Sequence, residues 1–327
     1  MDTVSISGNY RYVQMYGITR TTQYGYSIYE MDVYGVGGAL GPDADYDGVG
    51  DSADQCPGTP ANTPVGSDGC EIGFIGGYDA PTSYPGMTLV WADEFNGTSL
   101  NTANWTHEIG DGCPNLCGWG NNEQQYYRAE NTAVANGWLT IEAKNESFGG
   151  RNYTSSRLKT QGKQSFQYGR IDFRAVLPQG LGPWPALWML GDSISSEGWP
   201  EAGEIDVMEK IGGEENRILG TVHWDNNGSY ASYGCGDTGG CPTLSSGTFA
   251  DEFHVFSIVW DSNFIRWYLD DATTPFHTID ISSSALSEFR APFFFLMNIA
   301  VGGSLGGTPN NAIFPQKMII DYVRVYQ

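Results

Sequence analysis

Three carboxylates lie close together in one short apolar stretch of the sequence, at Glu204, Asp206 and Glu209. The stretch has the composition of a β-strand, in which successive side chains alternate between the two faces of the sheet. Glu204 and Asp206 therefore share one face, whereas Glu209 is expected on the other. One extra residue within 206–208 would form a β-bulge and return Glu209 to the face of the other two acids. Bulges of this kind are common beside active sites.

Paired carboxylates on one face are the groups that retaining glycoside hydrolysis requires, one as nucleophile and the other as general acid and then base. Glu204 and Glu209 are the candidates for these two roles. Three neighbouring acids cannot all ionise without cost, so we expect the pKa of one to rise until it keeps a proton near neutral pH. Asp206 would hydrogen-bond the nucleophile and hold the pKa values of its neighbours apart. The alternative is an amphipathic strand with a solvated acidic face.

The composition predicts an all-β fold. The 327 residues include 44 Gly, 19 Tyr and 10 Trp, and only 17% of the residues are charged. Short apolar or alternating runs predict strands at 138–143, 169–175, 254–260 and 318–326, separated by Gly, Asn and Pro turns. Many strands without intervening helices predict a sandwich or jelly roll, and residues 84–327 contain no evident domain boundary.

The net charge of −22 argues against nucleic acid or an anionic membrane surface as a partner, because both require clustered Lys and Arg. A neutral or cation-bearing partner fits better, and we expect a monomer. No stretch is long and apolar enough to span a membrane. The N-terminus lacks a basic segment followed by an apolar one, so we expect Met1 to begin a fragment.

Six cysteines fall into three pairs that are close in sequence, which is typical of local disulfides: Cys56/Cys70, Cys113/Cys117 and Cys235/Cys241. Other connectivities stay open. A zinc site is the alternative, but the two tighter pairs have no histidine at ligand spacing. Disulfides predict an oxidising, extracellular compartment and therefore a secreted protein.

Residues 41–72 are rich in aspartate at alternating positions, with glycine for the turn. These oxygen ligands suit a hard cation such as Ca²⁺, and the candidates are Asp43, Asp45, Asp47, Asp51 and Asp54. The pattern resembles a thrombospondin type 3 repeat, which implies a calcium-stiffened spacer with Cys56 and Cys70 as its disulfide. The alternative is a flexible acidic linker.

Residues 1–36 alternate polar with apolar or aromatic side chains and predict at least two strands, at 10–15 and 29–34. The stretch resembles the closing strands of a discoidin-like sugar-binding domain whose earlier strands are absent. The resemblance implies a truncated remnant. The alternative is an N-terminal hairpin of the main domain.

The run from Glu204 to Glu209 resembles the bulged catalytic strand of glycoside hydrolase family 16. Further stretches resemble its laminarinase-like branch and cover nearly all of residues 84–327, namely 118–127, 153–158, 184–189, 220–223 and 298–303. The resemblance implies that Glu204 is the nucleophile, Glu209 the acid/base and Asp206 the assisting acid. It also implies that they lie on the concave face of a β-jelly roll.

Candidate sugar-binding side chains surround the acids in these motifs. Three tryptophans can offer flat apolar faces to sugar rings: Trp184, Trp188 and Trp199. Polar groups suited to sugar hydroxyls are Asn121, Arg157, His223 and Asn298. Core packing is the alternative for any single tryptophan, and a structural role is the alternative for His223.

The resemblance implies a second calcium site on the convex face. Its ligands would be Glu94, the carbonyl of Gly137 and Asp321, which the sequence alone would not connect. The alternative is that these are ordinary surface residues.

The expected function is that of a secreted, retaining endo-glucanase that cleaves β-1,3 bonds in laminarin-like or mixed-linkage β-glucan. Retention predicts catalytic carboxyl groups roughly 5–5.5 Å apart. A galactan hydrolase acting on agar or carrageenan is one alternative, although few Lys and Arg lie near the motifs to bind a sulfated polymer. A non-catalytic β-glucan-binding protein is the other. Such proteins typically lack one catalytic glutamate, and both are present here.

Overall fold

The computed structural model describes residues 76–270 and 273–327. The predictions for residues 1–36 and 41–72, the five candidate aspartates and the Cys56/Cys70 pair therefore lie outside the described residues.

The described chain consists of short strands joined by turns and a few single-turn helices. The strands are β1 (Leu89–Asp93), β2 (Thr106–His107), β3 (Gln125–Tyr127), β4 (Thr132–Ala135), β5 (Trp138–Ala143), β6 (Tyr153–Ser155), β7 (Arg157–Lys159), β8 (Gly169–Val176), β9 (Pro183–Gly191), β10 (Glu204–Glu209), β11 (Leu219–Asp225), β12 (Tyr230–Gly234), β13 (His254–Trp260), β14 (Phe264–Leu269), β15 (His277–Asp280), β16 (Phe293–Val301) and β17 (Gln316–Tyr326). The α-helical turns are α1 (Ile194–Glu197), α2 (Cys235–Thr238) and α3 (Gly303–Gly306). The 3₁₀ turns are Cys117–Gly120, Ala129–Asn131, Ser284–Arg290 and Asn311–Ile313.

Two antiparallel sheets form a sandwich, which confirms the all-β prediction. The back sheet has eight strands in the order β15-β14-β13-β8-β17-β5-β4, with β1 also paired to β17. The front sheet has seven strands in the order β12-β11-β10-β9-β16-β7-β2. A parallel pair, β3 and β6, stands apart from both sheets.

The core lies between the sheets and takes alternate residues from each strand. In β9, Leu187 and Met189 belong to the core, whereas Trp188 lines a cleft on the opposite face of the front sheet. In β8, Ile171 and Phe173 enter the core from the back sheet. This alternation leaves the outer face of the front sheet available for polar and aromatic side chains.

Strand β17 changes partner half-way along its length. Its first half pairs with β5, up to Ile320 opposite Leu139, and its second half pairs with β1, where Val323 lies opposite Asp93. A register shift against β8 falls between Ile320 and Tyr322, so Asp321 lies at an irregularity.

The two disulfides predicted within the described residues are present: Cys113–Cys117 and Cys235–Cys241. Among the described residues, no helix has the length and apolar character needed to cross a membrane.

Candidate active site

The predicted bulge is present in β10. From Asp206 to Glu209 the strand advances three residues, whereas its partner β11 advances two, from Thr221 to Leu219. The pairing with β9 locates the extra residue between Asp206 and Met208. Val207 and Met208 are both buried in the core, so two successive side chains point inward and Glu209 returns to the face of Glu204 and Asp206.

The opposite sheet satisfies a backbone group at the bulge. The Asp206 carbonyl accepts a hydrogen bond of 2.8 Å from the indole N–H of Trp267, a buried side chain of β14. Gly220 in β11 makes room for this indole, because a Cβ there would lie 2.6 Å from Trp267 Cδ1. Buried carbonyls require such partners, so Gly220 and Trp267 together stabilise the irregular strand.

The three acids lie in a cleft of about 890 Å³ on the outer face of the front sheet. All seven predicted sugar-binding residues line the same cleft: Asn121, Arg157, Trp184, Trp188, Trp199, His223 and Asn298. The fold therefore brings together side chains that are up to 177 positions apart, from Asn121 to Asn298.

Each glutamate accepts a hydrogen bond from a different tryptophan. Glu204 Oε2 accepts from Trp199 Nε1 at 3.0 Å, and Glu209 Oε1 accepts from Trp184 Nε1 at 2.9 Å. Each indole donor can hold its carboxylate in place without neutralising the negative charge. Trp199 is half exposed, whereas Trp184 is buried.

His223 lies beside Asp206 and Glu204. Its Nε2 is 3.0 Å from Asp206 Oδ2 and 3.9 Å from Glu204 Oε1. Its Nδ1 is 2.8 Å from the hydroxyl of Tyr230, and the two rings stack. His223 therefore contacts the acid cluster through one nitrogen and a tyrosine through the other.

Burial raises the pKa of all three acids to about 8. The charge of Asp206 is the second cause for both glutamates. A hydrogen bond to Glu204 lowers the pKa of Asp206 and so opposes the effect of burial. Among the described residues, no Lys or Arg forms an ion pair with any of the three, so the cluster retains protons at neutral pH. The rise that we expected for one acid occurs for all three.

The family model for "Glycosyl hydrolases family 16" matches residues 120–324. The chain belongs to this family.

Several relatives are about 40% identical to this chain. The Beta-glucanase of Rhodothermus marinus is 39% identical over 264 residues, which cover 77% of this chain and 89% of that protein. The Glucan endo-1,3-beta-glucosidase A1 of Niallia circulans is 39% identical over 267 residues, covering 74% of this chain but only 38% of that longer protein. The laminarinase catalytic domain of Thermotoga maritima aligns with a TM-score of 0.66 at 40% identity, covering 74% of this chain and 98% of that one.

Among the predicted sugar-binding residues, Asn298 and Arg157 contact aromatic side chains of this family 16 cleft. Asn298 accepts a hydrogen bond from Trp188 Nε1 at 2.8 Å and donates one to the Tyr127 hydroxyl at 3.2 Å. The Arg157 guanidinium stacks 4.5 Å from the centre of the Trp119 ring and 4.8 Å from that of Trp188. Both residues therefore orient the cleft's aromatic surface.

The sequence motifs do not predict several residues of the cleft. Trp119 lies within the stretch 118–127 that resembles the family, and this position indicates a residue near the cleft. Tyr230 had no signal, because only the pairing of β11 with β12 brings it to His223. Glu123, a buried acid near Arg157, was also missed, and burial raises its pKa. It accepts hydrogen bonds from Gln125 and Tyr127 at 2.6 and 3.0 Å.

The three residues proposed as convex-face calcium ligands belong to segments that meet near the middle of β17. Asp321 lies in β17, Glu94 follows β1, and Gly137 forms the left-handed turn between β4 and β5. Glu94 accepts two hydrogen bonds from Arg324 in a bidentate pair, at 2.7 and 2.9 Å. Asp321 accepts one from Arg174 at 2.9 Å. The donor types suit a hard cation, although arginines already compensate both carboxylates.

Proposed function

We propose that this chain is a retaining endo-β-1,3-glucanase acting on laminarin-like or mixed-linkage β-glucans. The observation that supports it most is the bulged strand, which directs Glu204, Asp206 and Glu209 into one aromatic cleft. The similarity to laminarinases and a β-1,3-glucanase at about 40% identity supports the substrate class.

In the first step, the carboxylic acid of Glu209 would donate its proton to the glycosidic oxygen as the bond from that oxygen to the anomeric carbon breaks. The bonding electron pair stays with the leaving oxygen, and a Glu204 oxygen bonds to the anomeric carbon. Burial raises the pKa of Glu209, so this carboxyl can hold the proton that an acid needs near neutral pH. The pKa of Glu204 rises equally, and the division of roles between the two follows from the resemblance of the strand to family 16.

In the second step, Glu209 would take a proton from a water molecule, whose oxygen bonds to the anomeric carbon while Glu204 departs with the electron pair. Trp199 stabilises the ionised Glu204 through its indole N–H. The charge of Asp206 raises the pKa of Glu204, whereas that of His223 lowers it. Two displacements give the product the same anomeric configuration as the substrate.

The charge of the cleft argues against a sulfated galactan as substrate. Two cations line it, Arg157 and Lys159, and both contact Glu108, at 2.6 and 2.7 Å. One carboxylate therefore already engages both cations, and a sulfate group would have to compete with it for them.

The test compares the reducing ends that wild type and Glu204→Ala release from laminarin. We expect rapid release by wild type and release near background by the variant, and equal release would refute the assignment. A parallel screen on lichenan, agarose and carrageenan separates the glucan from the galactan alternative. Proton NMR of the earliest product should show the β-anomer, because the mechanism retains configuration.

We also propose calcium as a structural ion, bound by residues 41–72 and by Glu94, the Gly137 carbonyl and Asp321. The first site would belong to a thrombospondin type 3-like spacer that follows the discoidin-like residues 1–36. The two disulfides support secretion. Calorimetry of the full chain with and without a chelator tests this proposal. A chelator effect that persists in Asp47→Asn/Asp51→Asn would report the convex-face site.

A further inference from the structure

The cleft contains a group of three side chains with the composition of a transition-metal site. Glu204, Asp206 and His223 each direct one ligand atom into the group, and these atoms lie within 4.8 Å of one another. Ligand atoms bound to one zinc ion at about 2.0–2.1 Å stand roughly 3–4 Å apart. The spacing therefore requires only small side-chain movements to enclose an ion.

Asp206 provides a second, independent observation. Its side chain is 2% exposed and hydrogen-bonds Glu204, but its Oδ2 atom has no hydrogen-bond partner and lies 3.0 Å from His223 Nε2. Buried carboxylate oxygens ordinarily have a partner. An ion between these two atoms would satisfy the oxygen.

Two outer contacts orient the other ligands as in established metal sites. Trp199 donates to Glu204 Oε2 at 3.0 Å, which leaves Oε1 directed toward His223. The Tyr230 hydroxyl is 2.8 Å from His223 Nδ1. When Nδ1 carries the hydrogen it donates to this hydroxyl, and Nε2 then presents its lone pair to the group. Metal-binding histidines usually have such a partner on the second nitrogen.

We propose that Glu204, Asp206 and His223 bind a divalent transition-metal ion such as Zn²⁺, and that the bound ion inhibits hydrolysis by occupying the nucleophile. Three protein ligands with one open side toward the cleft are typical of accessible zinc sites. Calcium does not fit this group, because it prefers six to eight oxygen ligands. The inhibition rests on the proposed role of Glu204, whereas the binding does not.

The direct test is calorimetric titration of the full chain with zinc, in buffer with calcium in excess to saturate the acidic N-terminal segment. We expect one zinc site that is weakened at least tenfold in His223→Gln and unchanged in the matched variant His107→Gln, which alters a histidine of β2 outside the group. Cobalt as a substitute ion should give the visible absorption of a low-coordinate site with a nitrogen ligand. This absorption should disappear in His223→Gln.

Tyr230→Phe tests the outer contact without removing a ligand. Loss of such a partner typically weakens metal binding by about 10–100-fold, and the cobalt spectrum should keep its shape. Equal zinc affinity in wild type and His223→Gln, or a cobalt spectrum typical of six oxygen ligands, would overturn the site.

Two further measurements separate this proposal from the hydrolase function. Glu209→Gln should bind zinc as wild type does while losing hydrolysis, since Glu209 is not a ligand. With laminarin as substrate, zinc should reduce wild-type hydrolysis over the concentration range in which it binds. Zinc binding at His223 without inhibition would overturn the claim that the ion blocks the nucleophile. Hydrolysis that persists in Glu204→Ala would instead refute the hydrolase function, with the metal site judged by calorimetry alone.

Discussion

Buried carboxylates lie on both outer faces of the sandwich, but their partners differ. On the front sheet, tryptophan N–H groups and a histidine surround Glu204, Asp206 and Glu209. On the back sheet, three acids each pair with an arginine at 2.7–2.9 Å: Asp172 with Arg170, Asp321 with Arg174 and Glu94 with Arg324. Carboxylate side chains therefore have two different electrostatic environments on opposite sides of the same core.

The difference shows that the hydrogen-bonding or ionic partner of a carboxylate determines whether it stabilises the fold or holds a proton for a reaction. The arginine of the back sheet stabilises the ionised carboxylate and also holds the chain, since Arg174 donates to the carbonyls of Tyr78 and Gly76. On the front sheet, burial outweighs the charge of His223, which lowers the pKa of Glu204 and Glu209, so the acids retain protons that a reaction can use. Variants that change the partners on one sheet and leave the other sheet intact test this difference.

The largest effect is expected from Glu209→Ala. Removing a general acid typically lowers the rate by about 10²–10⁴-fold, and we expect this loss on laminarin. A substrate with an aryl leaving group that departs without protonation should lose much less in the first step. Rate measurements on both substrates decide it, and an equal loss on both would argue that Glu209 acts on binding instead.

Arg174→Met should damage stability and leave the reaction intact. It removes the arginine from the buried Asp321, and breaking one partner of a buried pair typically costs roughly 3–5 kcal/mol of unfolding free energy. Denaturant unfolding measures this loss, while kcat well below the melting temperature should be unchanged.

Arg266→Met is the matched control, since its pair with Asp261 is partly exposed and should contribute only about 0–1 kcal/mol. Similar losses from the two arginine variants would contradict the stabilising role that burial gives to the pair of Arg174 and Asp321.

Asp206→Asn should shift the pH dependence of hydrolysis. The charge of Asp206 helps to raise the pKa of Glu209 to about 8, so its removal lowers that pKa. Glu209 would then lose its proton at lower pH, and the alkaline limb of kcat/KM should move down by about one pH unit. The pH profiles of wild type and variant on laminarin measure the shift. An unmoved limb would mean that another group controls it.

The smallest effect is expected from Trp199→Phe, which keeps an aromatic ring and removes the hydrogen bond to Glu204. Because Trp199 is half exposed, water can partly replace this donor. We expect kcat to fall about 3–10-fold, in line with the loss of one partly solvated hydrogen bond to a charged group. A change confined to KM would assign Trp199 to sugar binding alone.

The sequence predicted the front face better than the back. The bulge followed from the odd spacing of Glu209, because strand alternation is a local rule. The tryptophans and polar residues of the cleft followed from motifs that resemble the family. The sequence did not predict the arginine partners of Glu94 and Asp321, or the contact of Tyr230 with His223. Those contacts depend on which strands become neighbours, and local patterns do not encode strand order.

The bulge also has a consequence for how this protein tolerates change in its gene. Deleting the single codon for Val207 would leave every acid in the sequence, yet it would turn the side chain of Glu209 toward the core. A surface loop usually tolerates the deletion of one residue. Here the position of the proposed acid depends on the number of residues after Asp206, so conservation of length is as strict a requirement as conservation of the glutamate itself.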